Sequence, residues 1–386
     1  MSDDQKNISP IERLIMEKES KEVGGVITQL FGEQGAGKTL ALTNKALLDY
    51  NADRIIFWRG QTSCQWIFLA ANNIPVTLWM HESYQDFGFY LTGSKNKGIK
   101  SRDINIEEQD EVDIKVETFS SMDELVEKAS SKRANVYYLP WGSSERSGVA
   151  EKDKYFYQKK HVQFFNELNN REFMDHVSIL NDENSNVFST DTHGELWRIQ
   201  TFELPSEVED FRKNRVSHMG ASHSHSDVHH KYHDVKANDR IYMRRAKVHR
   251  QDQEVSQGVV NQLDRGQFVV PGFEKDTFEI PFMPHENIEW MPNHEEVLLK
   301  MRFEAEIPDL RPENVDVDDF FDDKPFSPRH LDDLIDITEA AIMTGWTERE
   351  CRRKCQTGKM PAIKLDDKWV LSASELINLE DIPIEE

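Results

Sequence analysis

A loop with the spacing of a phosphate-binding motif lies near the start of the chain, at residues 32–39. Its sequence, GEQGAGKT, fits G-x-x-x-x-G-K-[ST] at every fixed position. Glycines let main-chain N–H groups converge on phosphate oxygens, and the positive end of a following helix faces the same anion. In this pattern the lysine adds charge at the β- and γ-phosphates, and the Thr39 hydroxyl is placed to bind Mg²⁺. We therefore expect ATP and Mg²⁺ at Gly32, Glu33, Gln34, Gly35, Ala36, Gly37, Lys38, Thr39 and Leu40.

The sequence around this loop has the required order of elements. An apolar run of strand type, 26–31, leads into the loop, and 40–48 has the apolar spacing of a helix. An ordinary glycine-rich turn is the alternative, and the strand–loop–helix context favours the phosphate-binding interpretation.

Hydrolysis would need a second, acidic site next to the loop. The apolar strand 177–181 ends in Asp182 and Glu183. We expect Asp182 to hold Mg²⁺ through water and Glu183 to orient and deprotonate the attacking water, with Lys38 as the other catalytic residue. The alternative is an acidic pair that ends a strand at the surface. Asn181 interrupts the apolar run, which weakens the functional interpretation.

Two further groups of side chains suggest chemistry without fixing it. Arg212, Arg215, Arg244 and Arg245 could supply an arginine finger across a subunit interface, or face solvent as most arginines do. Histidines are dense between His218 and His249, with i, i+4 spacing at His225, His229 and His233. That spacing can chelate a metal, with Asp227 and Asp234 as further ligands. A polar helix after the strand that ends near residue 221 is the favoured interpretation.

Strands alternate with helices over most of the first 250 residues. Strand-like runs at 53–58, 74–79, 114–119, 136–139, 215–221 and 240–243 are separated by helical patterns such as 153–169. This alternation predicts an α/β fold with a mostly parallel sheet flanked by helices. Together with the loop motif at 32–39, it predicts a P-loop NTPase.

Composition limits the class of protein. The 386 residues carry a formal charge of −23, which argues against a chain that coats nucleic acid with its whole surface but allows a local basic patch. Three cysteines are too few for a disulfide framework and fit a reducing compartment. No apolar run is long enough to span a bilayer, and the first residues lack an apolar secretion segment. We expect a cytoplasmic protein.

The chain is predicted to have four parts. These are an N-terminal arm at 1–24, an ATPase domain at 25–303 with an exposed polar insertion at 92–112, a linker at 304–329, and a DNA-binding domain at 330–386. The linker is assigned because residues 304–323 are acidic, contain two prolines and show no apolar periodicity.

The last part has the pattern of two short helices and a hairpin. Thr338 and Gly345 bound the first helix, Thr347 and Glu350 form a capping box for the second, and 362–371 reads as two short strands. This pattern resembles the winged helix-turn-helix of the excisionase and MerR-like family. The resemblance implies DNA contacts from the second helix and the wing, at Arg349, Arg352, Arg353, Lys354, Lys359, Lys364 and Lys368. A docking role is the alternative, and Cys351 and Cys355 are expected to pack that helix.

The order of P-loop, Asp-Glu strand and polar-ended strand, with this C-terminal module, resembles the HerA/FtsK-type DNA-pumping ATPases. The resemblance implies Ser222 and His223 as candidate sensors of the γ-phosphate, and a homo-oligomer such as a hexameric ring. It also implies an ATP-driven motor on double-stranded DNA in a virus or mobile element, cytoplasmic or associated with the virion. A nucleotide-switched, sequence-specific DNA-binding regulator or partition factor is the alternative, and a small-molecule kinase is a weaker one.

Overall fold

The structure is a computed structural model. It describes residues 24–82, 87–93, 101–139, 151–172, 175–190, 194–232, 239–271, 277–280, 288, 290–291, 297–303, 334–337, 340–341, 346–356, 362–365 and 368–372. The chain divides into two compact units, 1–191 with 202–310 and 192–201 with 311–386. The predicted N-terminal arm, except its last residue, and the acidic linker lie outside the described residues.

Sixteen strands and eight α-helices are described. The strands are β1 (Ile27–Phe31), β2 (Ile55–Arg59), β3 (Val76–His81), β4 (Phe87–Gly93), β5 (Arg102–Ile104), β6 (Ile114–Phe119), β7 (Ala134–Tyr138), β8 (Val177–Asn181), β9 (Val216–Ser222), β10 (Asp239–Met243), β11 (Gln267–Val269), β12 (Phe278–Glu279), β13 (Val297–Phe303), β14 (Leu334–Asp336), β15 (Ala362–Leu365) and β16 (Lys368–Ser372). The helices are α1 (Lys38–Asn51), α2 (Ile67–Ala71), α3 (Met122–Lys128), α4 (Glu151–Asn170), α5 (Gly194–Arg198), α6 (Leu204–Phe211), α7 (Gln257–Gln262) and α8 (Glu348–Gln356).

The first unit is built on a ten-stranded sheet. Its strand order is β12-β11-β10-β1-β9-β8-β2-β7-β3-β6. The pairs from β10 to β6 are all parallel, and only β11 and β12 are antiparallel. The predicted α/β fold with a mostly parallel sheet is confirmed. Because parallel strands end at the same edge, the residues that follow β1, β8 and β9 meet there.

Helices cover both faces of this sheet. Ile56 of β2 belongs to the buried core cluster that includes Ala41 and Leu42 of α1. The next residue, Phe57, contacts Phe164 of α4 with ring centroids 5.1 Å apart. Successive side chains of a strand point to opposite faces, so α1 and α4 lie on opposite sides of β2.

The segment predicted as an exposed polar insertion contributes to a second sheet. The strand order is β13-β4-β5, and both pairs are antiparallel. Residues 297–303 therefore pair with residues 87–93, which are about 200 positions earlier in the chain. Most described residues of 92–112 are exposed, but β5 is a strand and Ile106 is buried. The polar sequence concealed the strand because β5 is short and its pairing partner lies on β4.

The second unit contains a three-stranded antiparallel sheet of order β14-β16-β15 and helix α8. The predicted hairpin is β15 and β16, paired from Ala362↔Leu371 to Leu365↔Lys368. The pairing of β14 with β16 was not predicted. The first helix of the predicted helix-turn-helix falls partly outside the described residues, so the winged helix-turn-helix stays a prediction, as do the domain boundaries.

Candidate active site

The phosphate-binding loop connects β1 to α1 and takes a shape that needs glycine. Gly35 has φ 79° and Gly37, which precedes the first residue of α1, has φ 103° and ψ 16°. Side chains with a Cβ rarely adopt these angles, whereas glycine does so at little cost. The first N–H groups of α1 have no acceptor within the helix, so the turn presents donors and the positive helix end together.

Main-chain hydrogen bonds fix the loop to three neighbouring segments. Gly32 N–H donates to Ser222 O at 3.2 Å, and Glu33 N–H donates to Arg244 O at 3.1 Å. On the other side, Gly266 N–H donates to Ala36 O at 2.9 Å. The loop is therefore held by the ends of β9 and β10 and by the turn before β11.

Lys38 lies over the loop at its mouth. Its Nζ donates to Gly32 O at 2.7 Å and Glu33 O at 3.0 Å, and stands 3.3 Å from His223 Nδ1. Burial lowers the pKa of the lysine, and the carboxylates of Asp182 and Glu183 oppose that shift. An ammonium group only donates, so Nδ1 of His223 accepts here.

Thr39 and Asp182 join the loop to the acidic pair. The Thr39 hydroxyl donates to Asp182 Oδ2 at 3.1 Å. Burial raises the pKa of Asp182, with the charge of Glu183 adding to it, whereas Thr39 and Lys38 act in the opposite direction. A hydroxyl and a carboxylate are hard oxygen donors of the kind that Mg²⁺ prefers, and a cation there would offset the burial of the carboxylate. These two residues therefore fit Mg²⁺.

Glu183 follows in an unusual backbone conformation. Its φ is 61° and its ψ is 66°, in the left-handed region, which costs about 1 kcal/mol or more for a residue with a Cβ. The residue is exposed, and its Oε2 accepts from Asn186 Nδ2 at 3.3 Å. The turn thus separates a buried carboxylate, at Asp182, from an exposed one.

Sequence reasoning missed two side chains beneath this turn. Arg59 and Gln61, at and just after the end of β2, both donate to the carbonyl oxygen of Asp182. Arg59 Nε also donates to Asn181 Oδ1. Asn181, which interrupts the apolar run of β8, therefore has a buried partner. The buried arginine at the end of an otherwise apolar strand, RIIFW-R, is the signal that could have revealed this contact.

The two predicted sensor residues lie at the end of β9, at the edge of the sheet where the loop lies. Ser222 is paired with Phe31 in the β1–β9 register and is buried, and its Oγ has no hydrogen-bond partner among the described residues. His223 comes next and contacts Lys38 as described. Both are near the loop, and their role as sensors stays a prediction.

The four candidate arginines fall at opposite edges of the sheet. Arg244 Nε lies 2.6 Å from Glu33 Oε1 and Arg245 NH1 lies 3.5 Å from Glu33 Oε2, so both flank the loop. Arg212 and Arg215 precede β9, at the edge opposite the loop. Of these four arginines, Arg244 and Arg245 are the two beside the predicted nucleotide site within one chain.

No protein-family model matches the sequence, and no curated protein matches it significantly. Solved structures similar in shape include the genome packaging NTPase B204 of Sulfolobus turreted icosahedral virus 2 in complex with ATP-gammaS. It has 11% identity and a TM-score of 0.38, covering 67% of this chain and 98% of that one. VirB4 of Thermoanaerobacter pseudethanolicus has 11% identity and a TM-score of 0.37, covering 67% and 89%. Both the identities and the TM-scores are low.

Only part of the predicted helix in the histidine-rich segment is described: residues 225–228 do not form it, whereas 230–232 are helical. His225–Asp227 is a single 3₁₀ turn, closed by a capping box between Ser224 and Asp227, and Val228 is extended. The interpretation of His225 and His229 as i, i+4 neighbours on a helix is therefore wrong. Within the described ranges, which omit His233 and Asp234, no group of three or more His, Cys, Asp or Glu could hold a metal ion.

Helix α8 of the second unit begins at the predicted capping box. Glu350 N–H donates to Thr347 Oγ1 at 3.3 Å, and Thr347 N–H donates to Glu350 Oε2 at 2.9 Å. The helix presents exposed Arg349, Arg352 and Arg353, whereas Lys354 Nζ stands 3.6 Å over the Trp346 ring. Cys351 and Cys355 are buried. Of the wing lysines, Lys364 and Lys368 lie on β15 and β16, and Lys359 is outside the described residues.

Among the described helices, none is both long and apolar enough to span a membrane.

Proposed function

We propose that this chain binds ATP with Mg²⁺ and hydrolyses it to ADP and phosphate. The observation that carries the proposal is the hydrogen bond between Thr39 and Asp182, which joins the phosphate-binding loop to the acidic pair. Lys38, at the mouth of the same loop, provides the positive charge for the β- and γ-phosphates. Catalysis of phosphoryl transfer is mostly a matter of such positioning and charge.

The surroundings of each site residue indicate the role proposed for it. Thr39 and Asp182 would hold Mg²⁺, which neutralises charge on the phosphate oxygens when bound. Glu183 is exposed to solvent, where an attacking water can reach its carboxylate, so it suits the general base that takes a proton from that water. His223 accepts from Lys38 through Nδ1, which leaves Nε2–H as a donor for the γ-phosphate. The hydroxyl of Ser222 would be a second donor at the same strand end.

The work that hydrolysis drives is proposed to be movement of double-stranded DNA, in the packaging or transfer of a viral or mobile-element genome. The exposed arginines of α8, with Lys364 and Lys368 on the hairpin, would contact phosphates. A homo-oligomer such as a ring, in the cytoplasm or on the virion during assembly, belongs to this proposal. B204 is described as a genome packaging NTPase.

A nucleotide-switched DNA-binding regulator is the second candidate, because the basic face of α8 suits either role. The two differ in turnover. A motor hydrolyses many ATP molecules faster when DNA is present, whereas a switch turns over slowly and binds one sequence.

The test is the steady-state ATPase rate with and without duplex DNA of mixed sequence, together with the native mass at the same protein concentration. The motor predicts multiple turnovers, stimulation of at least about fivefold, and a mass above that of one chain. Turnover that DNA does not change, with tight binding to one sequence, would favour the regulator. A protein that does not bind ATP would contradict both.

A further inference from the structure

A fully buried guanidinium lies directly under the acidic pair. Arg59 is 1% exposed at the end of β2, next to β8 in the sheet. Its NH1 donates to the hydroxyl of Tyr157 on α4 at 2.9 Å, and its Nε donates to Asn181 Oδ1. Burying a cation is costly unless its N–H groups have acceptors, and these acceptors are uncharged. Because burying this guanidinium costs free energy, we expect it to contribute to the function of the site.

The NH2 group of Arg59 binds the main chain of the acidic pair. Arg59 NH2 donates to Asp182 O at 2.5 Å and to Glu183 O at 3.3 Å. Gln61 Nε2 donates to the same oxygen of Asp182. Glu183 is the residue with φ 61°, so the contacts fall on the two carbonyls of the strained turn.

The turn after Glu183 is closed by hydrogen bonds that depend on this conformation. Asn186 N–H donates to Glu183 O at 3.1 Å, and Val187 and Phe188 N–H donate to Asn184 O at 3.1 and 3.0 Å. A left-handed residue persists only where its surroundings hold it. Here the guanidinium binds Glu183 O on one side and the turn binds it on the other.

We propose that Arg59 is a positioning residue whose guanidinium clamps the main chain of Asp182 and Glu183 and so sets the direction of the Glu183 carboxylate. Tyr157 and Asn181 accept hydrogen bonds from the guanidinium and hold it in place, and Gln61 donates a further hydrogen bond to Asp182 O. The planar fork is required, because one lysine ammonium on a flexible stem cannot occupy the same set of acceptors. This inference rests on the proposed function, since it concerns the geometry of its general base.

The clamp is tested first without reference to activity, by amide hydrogen exchange in Arg59→Gln. We expect the amides of Asn186, Val187 and Phe188 to exchange at least about tenfold faster than in the unaltered protein, while the amides of β1 keep their protection. Unchanged protection at these three amides would overturn the clamp. If the glutamine variant does not fold, Arg59→Lys carries the same measurement, with an expected acceleration of at least about threefold.

A matched control is available at the opposite edge of the sheet. Arg133 also binds a main-chain carbonyl and side chains, donating to Val76 O at 2.7 Å and to Asp113. Arg133→Gln should leave exchange at residues 186–188 unchanged. Equal acceleration there in both variants would mean general loosening of the sheet and would overturn the proposal.

Steady-state kinetics then measures the consequence. In Arg59→Gln we expect kcat for ATP to fall about a hundredfold with KM within about threefold, because the loop that binds the phosphates is untouched. Arg59→Lys should recover part of kcat. A fall in affinity with kcat unchanged would contradict the proposal. An unaltered protein that does not hydrolyse ATP would refute the proposed function, and the exchange result would still decide the clamp.

Discussion

Thr39 and Asp182 are 143 positions apart in the sequence, yet the hydroxyl of one donates to the carboxylate of the other at 3.1 Å. The strand order explains the meeting. β9 pairs with both β1 and β8 in parallel, so the loop after β1 and the acids after β8 reach the same edge, separated by one strand. The contact brings residues 32–39 and the pair 182–183 together at one edge of the sheet.

Replacing Asp182 by asparagine removes the charge at this contact but keeps an oxygen that can accept from Thr39. The proposed Mg²⁺ site then loses its anionic ligand, so the Mg²⁺ concentration for half-maximal turnover should rise at least about tenfold. Binding of ATP in EDTA should change little. Titration of Mg²⁺ against turnover measures this, with the exposed Asp110→Asn as control. An unaltered Mg²⁺ requirement would remove Asp182 from the metal site.

The effect of replacing each candidate arginine on ATP turnover should depend on the edge of the sheet at which it lies. Arg244, in its ion pair with Glu33, lies beside the loop, so Arg244→Ala should lower kcat/KM for ATP at least about tenfold. Arg212 lies at the opposite edge, and Arg212→Ala should stay within about twofold of the unaltered protein. Equal losses in both variants would show that residues at the far edge reach a nucleotide, as they could only across a subunit interface.

The sequence predicted the main sheet well because its signals are local. The strands around 27–31 and 177–181 are short, mostly apolar runs. The glycine loop and the Asp182–Glu183 pair lie where a parallel sheet brings strand ends together. The sequence alone did not reveal contacts between segments that are far apart in the chain. The β13–β4–β5 sheet and the contacts of Arg59 with the turn after β8 belong to this class. The histidine spacing wrongly predicted that His225 and His229 lie on one helix, because the capping box between Ser224 and Asp227 closes a single short turn there.

Two buried histidines should make stability fall in acid. Burial lowers the pKa of His161 and of His218 from 6.5 to about 3. Between pH 6.5 and about pH 3, the two histidines bind protons in the unfolded chain but not in the folded chain. Stability is therefore fully present above pH 6.5 and declines as the pH falls, by about 1.4 kcal/mol per pH unit for each histidine.

The variant His161→Phe tests this dependence. Its neighbours are aromatic, with the Tyr157 ring centroid 4.5 Å away, so a phenyl ring fits the surroundings. Urea unfolding between pH 6.5 and 4.5 should show a slope smaller by about 1.4 kcal/mol per unit. The exposed His230→Phe should keep the full slope. The same slope in both variants would mean that His161 is protonated in the folded protein.

Gly220 leaves space for the polar contact between the turn after β8 and β1. A Cβ there would lie 2.5 Å from Asn184 Cγ, and Asn184 Nδ2 donates to Gln29 Oε1 at 3.2 Å. Gly220→Ala should therefore lower the free energy of unfolding by about 1–3 kcal/mol. Gly258→Ala, whose Cβ would meet only Ser256 Oγ at 3.4 Å, is the matched control and should change it little. Equal effects in urea unfolding would contradict this reason for the glycine.

The account depends most on Glu183 as the base beside a bound triphosphate, and Glu183→Gln tests it directly. The measurement is ATP turnover in the presence of duplex DNA, followed by quantification of nucleotide retained on the protein after rapid gel filtration. We expect turnover at least about a hundredfold slower, no DNA stimulation, and ATP rather than ADP on the protein. Glu117→Gln, whose side chain is 42% exposed on the edge strand β6, should behave as the unaltered protein. Unchanged turnover in Glu183→Gln would contradict the account.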